Sequence, residues 1–305
     1  MKIIADNKIL LVFLLILTLF TACDSQVEII LTGDVLLDRG LRPMVEKFGT
    51  EYIFKDVSKV FKEADFVLIN LEGPITDTVS PVNKKYIFRF DSKTAEGLKK
   101  SGVTHCLLAN NHTVDQGCSG LRNTIKNLEK AGLKYSGIGY NKEQRLKPMI
   151  LEKNGIEIAV FNCCLLKIEN WISNDNNLNI TAEDFTFLEA AVQNFKSKNP
   201  KTHILCVLHW GYEFRDKPEF FQRIQAQRLI SAGADIIIGH HPHVVQTTEL
   251  INSKLVVYSL GNFVFDQKNP KGRKAQIAKL NFSKDSIKYE LIDIDIQRNC
   301  PKIKN

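Results

Sequence analysis

What most constrains this chain is a repeated pairing of a short apolar run with a polar tip built from acid–base or metal-binding side chains. Val27 to Thr32 runs into Gly33-Asp34, and Phe66 to Asn70 into Leu71-Glu72-Gly73-Pro74. Val103 to Ala109 precedes Asn110-Asn111-His112, His203 to Leu208 precedes His209-Trp210-Gly211, and Asp235 to Gly239 precedes His240-His241-Pro242-His243. Such short runs read as buried strands. Helix-spaced patterns lie between them, around 51–63, 93–101, 119–131, 182–197 and 219–232. Strand and helix in alternation predict an α/β fold. In open α/β sheets, sites form beyond the carboxyl ends of strands, so tips far apart in sequence can converge.

The second half departs from that alternation. Asn154-Gly155 sits between two apolar alternations, a hairpin signal. Runs at 255–259, 275–282 and 287–296 are strand-like with no helix between them. A mixed, two-sheet α/β sandwich is therefore expected rather than a purely doubly wound sheet. No Pro/Ser linker or internal repeat divides the chain, which predicts a single domain over 23–305.

The tips offer Asp34, Glu72, Asn110, Asn111, His112, His209, His240, His241 and His243, with Asp38 and Asp115 nearby. Carboxylates, an amide oxygen and imidazoles together suit Mn, Fe or Zn better than Mg or Ca. Two metals about 4 Å apart need a bridging carboxylate and an open position on each ion. Taken singly, Asp34 could be only a turn residue, Glu72-Gly73-Pro74 only a turn, and His209 only a satisfied histidine. Two imidazoles around Pro242, directly after an apolar run, have little structural purpose. The joint occurrence at strand tips favours metal.

The first 22 residues read as an export signal, with Lys2 and Lys8 followed by the apolar run Ile9 to Leu19. That run is short for a membrane span. Leu19-Phe20-Thr21-Ala22-Cys23 resembles a bacterial lipobox, which implies lipidation at Cys23 and a membrane-anchored, exported chain. Phe20 departs from the usual leucine, and an ordinary cleaved signal or an uncleaved anchor are the alternatives. Of the other six cysteines, Cys106, Cys163, Cys164 and Cys206 lie in apolar runs and read as core. The formal net charge of +7 comes from scattered Lys and Arg with no dense basic run, so no nucleic-acid partner is expected. A mild positive field suits an anionic substrate.

The motifs Gly33-Asp34, Asn70-Leu71-Glu72-Gly73-Pro74, Ala109-Asn110-Asn111-His112-Thr113, His209-Trp210-Gly211-Tyr212-Glu213, Gly239-His240-His241-Pro242-His243 and Ser259-Leu260-Gly261-Asn262-Phe263 resemble the bacterial CapA capsule-synthesis, or poly-γ-glutamate synthesis, family. The resemblance covers residues 27 to about 267. It implies a calcineurin-like metallophosphoesterase fold, a four-layer α-β-β-α sandwich of two mixed sheets. It also implies two divalent metal ions held by Asp34, Glu72, Asn111, His209, His241 and His243, with Glu72 in the bridging place. The family departs from the metallophosphoesterase pattern, whose first metal motif is Asp-x-His, whereas this chain has Gly33-Asp34-Val35 and lacks that histidine. His112 resembles the histidine that protonates a leaving oxygen, its imidazolium held ready by a carboxylate such as Asp115. Arg89, in Phe88-Arg89-Phe90, is a candidate anion clamp or else a strand-edge charge between core phenylalanines. The implied chemistry is metal-assisted transfer or hydrolysis at a phosphoryl or acyl centre. The implied biology is synthesis, export or anchoring of poly-γ-glutamate or another extracellular polymer, beside a polymer synthase or export complex. A stand-alone phosphoesterase and a metal-stabilised, non-catalytic synthase subunit are the alternatives.

Overall fold

A computed structural model describes residues 25–171, 177–297 and 299–304. The apolar leader, Cys23 and Asp24 lie outside the described residues. Sixteen strands follow in chain order: β1 (Val27–Val35), β2 (Phe66–Leu71), β3 (His105–Leu107), β4 (Lys134–Ser136), β5 (Ile138–Gly139), β6 (Met149–Lys153), β7 (Ile156–Cys164), β8 (Asn179–Ile180), β9 (His203–His209), β10 (Ile236–His240), β11 (Thr248–Ile251), β12 (Lys254–Val257), β13 (Asn262–Val264), β14 (Lys274–Phe282), β15 (Ile287–Gln297) and β16 (Cys300–Ile303).

They build two large mixed sheets. The first runs β16-β15-β14-β1-β2-β3-β4, with β13 also pairing with β1. The second runs β11-β12-β10-β9-β7-β6, and β5 with β8 forms a separate ribbon. Strands β1 to β4 are mutually parallel, as are β7, β9, β10 and β12, while β6, β11 and β14 pair antiparallel to their neighbours. The Asn154-Gly155 turn joins β6 to β7 as the sequence predicts, with both residues at positive φ.

Side-chain alternation sorts the apolar residues into layers. Val27, Ile29 and Leu31 of β1 meet Leu205 and Val207 of β9 and Ile236 and Ile238 of β10 in a core between the sheets. Ile30 and the next strand's Val67 and Ile69 face the other way, onto Phe61, Leu98 and Leu128 of flanking helices and onto Phe54 between two of them. On the second sheet, Ile204, Cys206 and Leu208 pack on Leu188 and Val192 of the helix Phe185–Lys198 and Leu229 of the helix Phe220–Ala232. The result is helix, sheet, sheet, helix, the expected four layers. The helix expected around 51–63 is broken into Thr50–Ile53 and Ser58–Glu63, because Phe54 and Val57 turn inward between the two pieces. Cys106, Cys163, Cys164 and Cys206 are buried and free, as expected of core thiols.

Close backbone approach sets the geometry at the strand tips. A β-carbon on Gly33 would lie 2.1 Å from the Gly261 carbonyl oxygen, and one on Gly239 would lie 2.0 Å from that of Tyr258, so only glycine fits. Among the described residues no helix is long and apolar enough to cross a membrane.

Candidate metal centre

The parallel strands of both sheets end at one place, and their tips are stitched together by backbone. The Glu72 N–H donates to the Val35 carbonyl at 2.9 Å, that of Asp34 to Gly261 at 2.9 Å, and that of Trp210 to His240 at 3.1 Å. The first sheet brings Asp34, Glu72 and the loop Asn110–Asp115, and the second brings His209, His240, His241 and His243.

Asp34, Glu72 and His243 are buried, and each offers a ligand atom within 4.8 Å of the others. Asp34 is well served: Asn70 Nδ2 donates to its Oδ1 at 2.7 Å, and His240 and His243 place Nδ1 atoms 3.2 Å from its two oxygens. Burial works against the Asp34 carboxylate, but the neighbouring imidazoles of His240 and His243 hold its pKa well below the usual value. Glu72 is the opposite case. Both its oxygens are buried with no hydrogen-bond partner, and burial together with the Asp34 charge pushes its pKa well up. A buried carboxylate without partners is strongly disfavoured. Both nitrogens of His240 and Nδ1 of His241 are also buried without a hydrogen bond, His240 Nδ1 lying close to Asp34 but off the bonding direction. Such a concentration of orphaned acceptors beside Asp34 and His243 fits a bound cation.

The imidazoles are prepared for that role. His243 Nδ1 lies 2.8 Å from Asn262 Oδ1, while Asn262 Nδ2 donates to the carbonyls of His243 and Gly272. That pattern puts the His243 proton on Nδ1 and turns Nε2 toward Glu72 Oε1, 3.7 Å away. Burial lowers the His243 pKa, but Glu72 and Asp34 outweigh it and raise it to about 9. Without a bound ion, a second proton on His243 supplies part of the positive charge that the carboxylates demand, and a cation held at Nε2 would take that proton's place. Burial and neighbouring imidazoles lower His209 well below its usual value and His241 to about 3, leaving both neutral as ligands require. His209 Nε2 is 2.9 Å from Asn111 Oδ1, and its ring centre is 5.0 Å from that of His241. His241 and His243 hold positive φ of 96° and 56°, conformations that non-glycine residues adopt at a cost and that cluster at functional sites.

Beside this cluster, His112 Nδ1 lies 2.7 Å from Asp115 Oδ2, and the His112 ring packs 4.1 Å from that of Phe88. Asp115 also accepts from the Phe88 N–H at 2.8 Å and from Lys84 Nζ at 2.5 Å. Burial pushes the His112 pKa down, against the pull of Asp115. Arg89 stands apart. Phe88 faces His112 and Phe90 is buried, so alternation turns Arg89 away; its Nη1 donates to the Thr76 carbonyl at 3.2 Å, and none of its described hydrogen bonds reaches the cluster.

Two asparagines of the site, Asn70 and Asn262, escaped the sequence reading, while Asn110, one of the tip residues noted there, takes a capping place. Asn70 serves both Asp34 and His209, Asn110 Oδ1 caps the His112 and Thr113 N–H groups, and Asn262 orients His243. All three sit inside the quoted motifs, yet nothing in those motifs separates a ligand from a residue that holds one. Lys84 and Arg39 carry no local signal and are placed only by the tertiary fold.

The layers and the carboxylate–histidine cluster define a metallophosphoesterase-like fold. Two solved structures share it at low identity. A hypothetical protein from Thermus thermophilus aligns with a TM-score of 0.50 and 13% identity over 87% of this chain and 99% of its own. The NAD nucleotidase of Haemophilus influenzae aligns with a TM-score of 0.50 and 14% identity over 92% of this chain and 60% of its own.

The sequence is more specific than the fold. The bacterial capsule synthesis protein family, PGA_cap, matches residues 28–267, and the chain belongs to it. The capsule biosynthesis protein CapA of Bacillus anthracis is 28% identical over 288 residues, 92% of this chain and 70% of that protein. The PGA biosynthesis protein CapA of Bacillus subtilis is 29% identical over 285 residues, 92% of this chain and 74% of that protein.

Proposed function

We propose that this chain is an exported, membrane-anchored, metal-dependent hydrolase or transferase that takes part in making, exporting or anchoring poly-γ-glutamate or another capsule polymer, acting on an anionic substrate beside a polymer synthase. The carrying observation is Glu72, whose two buried oxygens lack a hydrogen-bond partner among carboxylates and imidazoles at the junction of both sheets. Family membership supports the polymer context. Lipidation at Cys23, following a cleaved leader over 1–22, supplies the anchor, and 23–305 works as one domain.

The residues divide into two ligand sets sharing Glu72. Asp34, Glu72 and His243 would hold one divalent ion, and Glu72, Asn111, His209 and His241 a second, of Mn, Fe or Zn type. Bound ions of this kind polarise a phosphoryl or acyl oxygen and activate water near neutral pH. The chain's own contribution is positional. Asp34 and Asn262 hold His243, Asn70 holds Asp34 and His209, and Asp115 fixes the Nδ1 side of His112 so that Nε2 is left for a leaving oxygen. An anionic group arriving at His112 would raise its pKa against burial and supply the proton to be donated. The buried His112–Asp115 pair favours a catalyst over a merely metal-stabilised scaffold, since Phe88 and Lys84 already satisfy Asp115.

Comparison of His112→Ala with Glu72→Ala tests this reading. His112→Ala should keep metal and fold while slowing phosphodiester turnover roughly a hundredfold or more, with good leaving groups spared. Glu72→Ala should lose metal and spare none. If His112→Ala strips the metal or leaves every substrate unaffected, the proton-donor role is wrong.

A further inference from the structure

One arginine is built into the rim of the cluster. Arg39 places its guanidinium carbon 5.7 Å from the centre of the Phe88 ring and 6.0 Å from that of Phe265. Phe88 is the ring packed on His112, and Phe265 lies 4.8 Å from His243. The guanidinium is therefore flanked by two rings, one packed against His112 and one against His243.

Its position is enforced from both flanks. Asp38 accepts from Arg42 Nε at 2.8 Å and from the Arg89 N–H at 2.7 Å, which pins the residue before Arg39 to the Phe88–Phe90 segment. Gly40 donates its N–H to Asp266 Oδ2 at 2.9 Å, which pins the residue after it. Between these anchors Arg39 takes a positive φ of 54°, a left-handed conformation unusual for an arginine. Asp266 Oδ1 stands 3.0 Å from Arg39 Nη2 yet forms no aligned hydrogen bond, so the pair balances charge without consuming the guanidinium's directional donors. A surface arginine held only for stability would need neither the backbone conformation nor the two aromatic supports.

We infer that Arg39 is the anion clamp of this site, donating its planar N–H fork to a carboxylate or phosphate of the substrate while the reacting atoms lie at the metal cluster and His112. Guanidinium binds both groups bidentately, and the aromatic stack orients it in advance. The inference rests on the proposed reading of the cluster as the reactive centre and deepens it by naming the residue that selects an anionic substrate. It assigns to Arg39 the role that the sequence alone suggested for Arg89.

The test uses the full chain, with inorganic phosphate and glutarate as the two probe anions, binding read by calorimetry and metal content measured on the same samples. Arg39→Met should weaken binding of at least one anion about tenfold or more, the scale of a lost charged hydrogen bond. Metal content and melting temperature should stay at native values, and Arg39→Lys should recover part of the loss. The anion that suffers more identifies the group being clamped. A native chain that binds neither anion, or an Arg39→Met chain that binds both as tightly as the native one, overturns the assignment. Loss of anion binding in Arg39→Met from a chain that holds no metal would leave the clamp standing and remove the metal reading, so the two fail separately.

Discussion

The two sheets contribute to the site in different chemical currencies. The first supplies oxygen, from Asp34, Glu72 and Asn111, whereas the second supplies nitrogen, from His209, His241 and His243. The first half is charged and, at Glu72, unsatisfied; the second is neutral apart from His243, which borrows charge from the carboxylates opposite. Neither half would hold the proposed ions alone. Only when Leu31 and Leu68 of one sheet pack against Leu205 and Val207 of the other do carboxylate and imidazole come within ligand distance. The centre is thus a product of the inter-sheet core, and its two halves should fail differently when altered.

The largest effect is expected from the nitrogen side. His241→Ala combined with His243→Ala should remove at least one equivalent of metal, measured by plasma mass spectrometry, because each proposed ligand set loses a nitrogen. Unchanged metal content would show that the ligands lie elsewhere.

A smaller effect is expected one step back from the ligands. Asn262→Leu should lower metal affinity about 10- to 100-fold without changing stoichiometry, since it frees the Nδ1 side of His243. Calorimetric titration with Mn2+ or Zn2+ checks this, and native affinity would mean that His243 needs no orientation.

The smallest effect sharpens the contrast at Glu72. In metal-free protein, Glu72→Gln should be at least as stable as the native chain near neutral pH, because it removes an unpartnered buried charge. The Glu72 pKa is raised in the fold above its ordinary value, so the unfolded chain ionises first and stability is lost as pH rises from the ordinary carboxylate range toward the folded-state value; below that range both states are neutral and no loss remains. The melting-temperature advantage of Glu72→Gln should therefore shrink toward acid pH. With metal bound the order should reverse.

Much of this was legible in the sequence. Five apolar runs with polar tips predicted the parallel strands, and Asn154-Gly155 predicted the β6–β7 hairpin, because burial periodicity and turn chemistry are local. The tips Asp34, Glu72 and His243, which the fold brings together, were legible as candidate ligands because no packing role accounts for them together. The rest depends on what the fold brings near. The Phe88-Arg89-Phe90 alternation could not say which face would meet His112, and it turned the phenylalanine inward rather than the arginine. Arg39 carried no local signal, because the two rings beside its guanidinium come from distant segments. Lys84 gave no signal because its partners, Asp115 and the Asn111 carbonyl, are reached only through the tertiary fold.

The central claim is that oxygen from one sheet and nitrogen from the other jointly hold divalent metal. Its most direct test is metal quantification on the native chain and on Glu72→Ala, both purified without chelator and then offered Mn2+, Fe2+ and Zn2+. The account predicts up to two equivalents of one of these ions in the native chain and none in Glu72→Ala. A native chain that retains no metal, or a Glu72→Ala chain that retains the native amount, would contradict it.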